Sequence, residues 1–186
     1  MTAETDVRER VLDAADSLFY SRGFSAVGMD EVRDAAGVSL RRLYSAFPSK
    51  ESIVLAMLER RHEQWTTELR AVVDSRDDPR ARILAVYDYL SAWFADESFR
   101  GCGFINAFGE LGGVSPAVTS LIRAHKQSFQ DEMARLADEA GAPPPLAPQL
   151  AILAEGAQTT AAIAGDPLAA GHARAAAEIL VDAALA

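Results

Sequence analysis

Two backbone breakers, Gly37 and Pro48, bracket a segment that has few ways to fold. Residues 29–50 read Met-Asp-Glu-Val-Arg-Asp-Ala-Ala-Gly-Val-Ser-Leu-Arg-Arg-Leu-Tyr-Ser-Ala-Phe-Pro-Ser-Lys. Val32, Ala35 and Ala36 give a first short helix one apolar side. Gly37 follows where a helix end wants a residue with positive φ. Val38 can bury between two helices, and Ser39 is placed to N-cap the second. Leu43, Tyr44 and Phe47 give that second helix its apolar side, which leaves Arg41, Arg42 and Ser45 facing outward. Pro48 stops it because proline cannot continue the backbone ladder. Ser49 then caps a third helix, with Lys50 and Glu51 in its first turn. Two short helices joined by a tight glycine-containing turn form a helix-turn-helix, whose second helix enters the DNA major groove.

Charge sharpens the expectation. The chain has 18 Lys+Arg against 27 Asp+Glu, a net charge of −9. Residues 33–50 hold Arg33, Arg41, Arg42 and Lys50 against Asp34 alone, a local +3 that leaves −12 on the rest. An acidic body repels phosphate, so one basic edge would orient the protein and confine contact to that edge. Arginine suits base reading, since its planar fork can donate to guanine O6 and N7. Arg41 and Arg42 point about 100° apart on a helix, so one can read a base while the other grips phosphate. Which does which stays open. Tyr44 can donate its hydroxyl to phosphate while its ring packs below, or act as a core aromatic with a wet hydroxyl. Lys50 adds a point charge at a helix N-terminus already suited to an anion.

The quoted residues carry a family likeness. Gly23-Phe24, Ala36-Gly37-Val38-Ser39, Leu43-Tyr44 and Phe47-Pro48-Ser49-Lys50-Glu51 resemble, in order and spacing, the TetR family of transcriptional regulators. The likeness covers about the first third of the chain. It implies an all-α homodimer with two parts: an N-terminal three-helix DNA-binding domain (residues 1–50), and a C-terminal helical domain for ligand binding and dimerisation (51–186). It implies repression of an operator until a small-molecule effector binds. Ser39, Arg41, Arg42, Tyr44 and Lys50 fall at its DNA-contacting positions, and Ser45 joins them by facing outward. Three residues depart from the pattern. Gly28 stands where a Thr or Ser cap is usual, Arg33 where a small Ala is usual, and Ala46 where an aromatic is frequent. A helical ligand-binding dimer that has lost DNA binding through these changes is the alternative reading.

The remaining chain reads as helices between clear breakers. Asp6, with Glu9 three positions on, has the pattern of a capping box for a helix over 6–22; Val7, Val11, Ala15, Leu18 and Phe19 give it an apolar face. A long helix over about 49–75 can carry a signal between domains. Asp78-Pro79 starts the next, a short helix spans about 103–111, and Ser115-Pro116 opens one to about residue 140. Residues 141–148, Gly-Ala-Pro-Pro-Pro-Leu-Ala-Pro, read as a stiff connector. Two alanine-rich helices, about 148–164 and 171–185, close the chain, and the TetR likeness makes them the dimer interface.

Aromatic residues concentrate between 65 and 129. Trp65, Tyr87, Phe94, Cys102, Asn106, Glu110, His125 and Phe129 are the candidate ligand contacts, with an apolar or planar effector expected. Such a stripe also suits an ordinary core. Arg100-Gly-Cys-Gly-Phe-Ile-Asn106 resembles a Gly-Cys motif in the ligand domain of one group of TetR-like regulators. Cys102, near a helix start and beside Arg100, can be a sensor of electrophiles or oxidants, or a small buried residue. His62, His125 and His172 lack metal-ligand spacing, and no phosphate loop or serine elbow is present. Neither an enzyme, a cofactor nor a metal is therefore expected. One cysteine, no apolar run of membrane-spanning length and no leader-like N-terminus point to the cytoplasm, with no membrane partner.

Overall fold

The computed structural model describes residues 3–186, with side chains from residue 5 onward. Among the described residues the chain forms nine α-helices and no strand. They are α1 Ala3–Arg22, α2 Met29–Ala36, α3 Leu40–Ala46, α4 Lys50–Asp74, α5 Pro79–Phe94, α6 Gly103–Leu111, α7 Pro116–Glu139, α8 Leu146–Ala164 and α9 Ala169–Leu185. Packing divides them into two compact units. The first comprises residues up to Glu63 and 103–123; the second comprises 64–102 and 124–186.

Local chemistry explains most helix boundaries. Gly37 closes α2 in the left-handed region, at φ 62° and ψ 38°, where an L side chain is strained. Ser39 Oγ accepts the Arg42 N–H at 3.4 Å to open α3, and Ser49 Oγ accepts from Ser52 at 3.1 Å to open α4. Asp78 accepts from the Ala81 N–H at 2.7 Å, with Pro79 as the first residue of α5; proline at that position loses no helical hydrogen bond.

Two expected boundaries move. Asp6 is not an N-cap, because α1 already begins at Ala3; its carboxylate instead lies 3.8 Å from Arg10, one turn on. Pro148 is not in the connector but in the first turn of α8, which starts at Leu146. The N–H groups of a first turn have no intrahelical acceptor, so proline is tolerated there.

The first unit is built on α1. Val7, Val11, Ala15 and Phe19 of α1, Val32 and Ala36 of α2, Leu43 of α3 and Ile53, Val54, Met57 and Leu58 of α4 form its buried apolar layer, with α1 packed on α2 and α3. Phe24 completes this layer, its ring centroid 5.4 Å from that of Phe19.

The second unit is centred on α5, whose residues 83–87 are all buried. A helix buried on every side is the middle of its domain, and α8 and α9 pack on it and on each other. Their contact faces are mostly alanine: Ala147, Ala151, Ala154, Ala157 and Ala161 of α8, and Ala169, Ala170, Ala173 and Ala177 of α9. Small side chains let the backbones approach closely. The larger apolar residues of this pair divide. Leu150 and Val181 are buried, while Ile152, Ile163 and Ile179 are 71, 83 and 71% exposed, as is Leu168, the residue before α9, at 66%.

Tyr87 is fully buried, and its hydroxyl donates to the Leu150 carbonyl at 2.8 Å. Burial pushes its pKa above the ordinary tyrosine value. Tyr87→Phe keeps the ring and deletes the bond, so it should lower stability by about 1 kcal/mol in a urea melt; an unchanged midpoint would mean that the bond contributes nothing net.

Candidate nucleic-acid interface

A seven-residue helix, α3, carries the outward face of the helix-turn-helix. Leu43 is its one buried residue, and Phe47, also buried, follows as its C-cap. At about 100° per residue, Arg41 and Ser45 both point roughly 160° from Leu43, directly away from the core. Arg42 and Tyr44 point to opposite flanks, with Leu40 on the Tyr44 side. Leu40, Arg41, Arg42, Tyr44 and Ser45 are all exposed. Tyr44 is 47% exposed, so its ring does not join Leu43 and Phe47 in the apolar layer as the sequence pattern had suggested. Its position a quarter turn from Leu43 is the physical reason.

The basic charge is distributed unevenly. Among the described residues, no ion pair engages the Arg41 or Arg42 guanidinium. Arg33 instead lies along its own helix, donating to Asp30 and Asp34 at 2.7 and 2.8 Å. Those carboxylates neutralise it within α2 and hold its pKa up. Lys50, the first residue of α4, is half-buried with Nζ 5.7 Å from the Phe19 ring centroid. Burial lowers its pKa, against the opposing fields of Glu110 and Glu31. Gly28 opens α2 without a side-chain cap; Glu31 supplies the return half of a capping box by accepting the Gly28 N–H at 2.9 Å. That bond and the Arg22 side chain hold the Glu31 carboxyl below its ordinary range.

Sequence reasoning missed what secures the two short helices. Arg10 of α1 donates to the carbonyls of Ala36, at the end of α2, and Gly37, the latter at 2.7 Å. Arg8 donates to the Ala46 carbonyl, at the end of α3, at 2.8 Å and covers the Phe47 ring at 4.3 Å. The last carbonyls of a helix lack intrahelical donors and carry its partial negative charge, so a guanidinium suits them. Nothing local in the α1 sequence signals this, because the acceptors lie 26–38 residues away.

The candidate ligand residues divide between the two units. In the second, the Trp65 ring meets His125, Phe129 and Tyr89 edge-on, at centroid distances of 5.3, 5.5 and 6.3 Å. Tyr87 and Phe94 belong to the same unit's core, Phe94 lying 4.9 Å from Phe99. Cys102 is buried, its Sγ 3.7 Å from Lys126 Nζ, while that ammonium also pairs with Glu155 at 2.7 Å. Asn106 and Glu110 belong to the first unit. Both Glu110 oxygens are occupied there, accepting the backbone N–H groups of Phe24 and Ser25 at 3.0 and 2.7 Å. Among the described residues, no His, Cys, Asp and Glu cluster could hold a metal, and no helix is long and apolar enough to cross a membrane.

Comparison with known proteins agrees with this geometry. The profile of bacterial regulatory proteins of the tetR family matches residues 11–57. The crystal structure of the TetR-type regulator sav143 of Streptomyces avermitilis superposes with a TM-score of 0.84 at 30% identity, covering 96% of this chain and 97% of that one. The transcriptional activator FasR of Mycolicibacterium smegmatis is 39% identical over 87 residues, 45% of this chain and 40% of FasR. The transcriptional repressor NemR of Escherichia coli is 29% identical over 137 residues, 73% of this chain and 62% of NemR. The match therefore spans less than two thirds of either curated relative.

Arg10→Ala should destabilise the first unit by about 1 kcal/mol, the modest figure expected for a partly exposed guanidinium on helix-end carbonyls. Amide exchange in α2 should quicken as the end of that helix frays. Exchange equal to wild type would show that water replaces the arginine without loss.

Proposed function

Because this chain belongs to the TetR family of DNA-binding transcriptional regulators, we propose that it acts as a homodimeric repressor in the cytoplasm. In this reading α3 grips a double-stranded operator, and a small apolar or aromatic effector releases it. One observation carries the reading: α3 buries Leu43 alone and turns Arg41 and Ser45 squarely outward, with neither arginine committed to an acid. Arg41 is the base reader. Arg42 and Tyr44, on the flanks, contact phosphate on either side of the groove, and Ser39, Ser45 and Lys50 complete the contact set. A good bidentate arginine contact discriminates against a wrong base by roughly 1–3 kcal/mol.

The dimer is supported by the outer face of α8 and α9. Ile152, Ile163 and Ile179 are exposed on the two helices whose alanine faces are already spent inside the unit, and Leu168, the residue before α9, is exposed beside them in sequence. Isolated exposed apolar residues are ordinary, but three isoleucines on an adjacent helix pair suit an interface core. A dimer also presents two recognition helices to half-sites about one helical turn apart.

Effector binding is supported by the rings around Trp65. A large indole with His125 and Phe129 at its edge offers apolar area with one polar group for orientation. Repression follows the family expectation and the example of the repressor NemR; FasR is an activator, so polarity is part of the proposal. The domain division at residue 50 belongs to the same reading, with residues 51–186 responsible for effector and partner.

Two experiments test it. Binding to the DNA upstream of the chain's own gene should fall steeply with salt, because each phosphate contact releases counterions. Arg41→Ala should weaken it about tenfold or more, and Arg41→Ala with Arg42→Ala should abolish specificity. No specific binding there, nor to sites selected from random DNA, would favour the helical dimer that has lost DNA recognition. Separately, Ile152→Glu with Ile179→Glu should give a folded monomer by sedimentation and lose operator binding; a variant that stays dimeric would place the interface elsewhere.

A further inference from the structure

We infer that Glu110 is a positioning residue for DNA recognition, holding the α1–α2 turn and through it the angle of the helix-turn-helix. The inference rests on the operator-binding reading above.

The geometry is specific. Glu110 lies in the last turn of α6, and its two oxygens accept separately from consecutive backbone N–H groups, Phe24 at 3.0 Å and Ser25 at 2.7 Å. These amides belong to the turn from which α2 and α3 depart, and they are 85 and 86 residues away in sequence. The turn is shaped to receive the carboxylate. Gly23 has φ +92°, and a Cβ there would come within 2.9 Å of Glu110 Oε1. A side chain at residue 23 would be strained in this conformation and would push the carboxylate aside.

The other end of α6 is seated on the same frame. A Cβ at Gly103 would stand 3.5 Å from the Arg61 guanidinium. That guanidinium pairs with both Asp16 oxygens and covers the Tyr20 ring at 4.2 Å. Asp16 and Tyr20 are α1 residues, so α6 meets the scaffold of the helix-turn-helix at both its ends. Arg10 and Arg8 secure the far ends of α2 and α3; Glu110 secures the turn where the pair begins. A charged acceptor satisfying two backbone donors is among the stronger hydrogen-bonded arrangements.

Glu110→Gln retains shape but offers one acceptor oxygen and places an amide N–H₂ against a backbone donor. In the full-length chain, amide exchange across residues 23–47 should quicken about tenfold, while residues 79–94 and 146–185 exchange as in wild type. Operator affinity should fall about tenfold with helical content preserved. Unchanged exchange in residues 23–47 would overturn the inference, and so would quickened exchange with wild-type affinity. If the variant does not fold, the wild type decides: its Phe24 and Ser25 amides must be protected at neutral pH, and free exchange there overturns the tie. A wild type that binds no selected DNA overturns the operator reading instead, while exchange still reports whether Glu110 holds the turn.

Discussion

Helix-end carbonyls held by arginine, beside the buried apolar layer, set where the two short helices of the first unit lie on α1. A seven-residue helix is far too short to be stable by itself in water, and α3 buries only Leu43. Its placement must come from outside. Phe47 anchors its end in the apolar layer, and Arg8 covers that ring while bonding the Ala46 carbonyl. Arg10 does the same for the end of α2. Both arginines sit on α1, so one long helix orients two short ones by their negative ends. This arrangement spares the outward face of α3 from structural duty. Arg41 and Ser45 can point away from the core because nothing in the fold requires them to point inward.

Charge is managed in the same spirit. Of the basic residues in the helix-turn-helix segment, Arg33 is neutralised by Asp30 and Asp34 on its own helix, and Lys50 lies half-buried over Phe19. The uncommitted positive charge narrows to Arg41 and Arg42. On a chain of net charge −9, that restriction favours contact through one helix over diffuse adhesion to any polyanion. In the second unit the economy is one of volume. Alanine faces bring α8 and α9 close to each other and to α5, which leaves their isoleucines outside.

The breakers and caps around residues 23–50 were legible in the sequence because each acts locally. Gly37 adopts the left-handed conformation its position required, Ser39 and Ser49 cap the helices they precede, and Asp78-Pro79 starts α5. Local patterns misled where a stronger neighbour intervened. Asp6 looked like a cap, but the helix runs on to Ala3, and Pro148 looked like a connector residue, but a first turn accepts it. Tyr44 read as part of an apolar side because it adjoins Leu43 in sequence, yet on a helix an adjacent residue points a quarter turn away.

The sequence by itself determined the all-helical class, the helix-turn-helix and the outward arginines, since periodicity, capping and φ preference operate within a few residues. Only the tertiary structure decided which of those arginines remain unpaired, that Arg8 and Arg10 hold the ends of α2 and α3, and that Glu110 closes on Phe24 and Ser25. It also separated the candidate ligand contacts: Trp65, His125 and Phe129 meet as rings, whereas Asn106 and Glu110 belong to the other unit. The reason is range. A long side chain finds its partner by where the backbone carries it in space, and contacts spanning 26–86 residues leave no periodic trace in the chain that makes them.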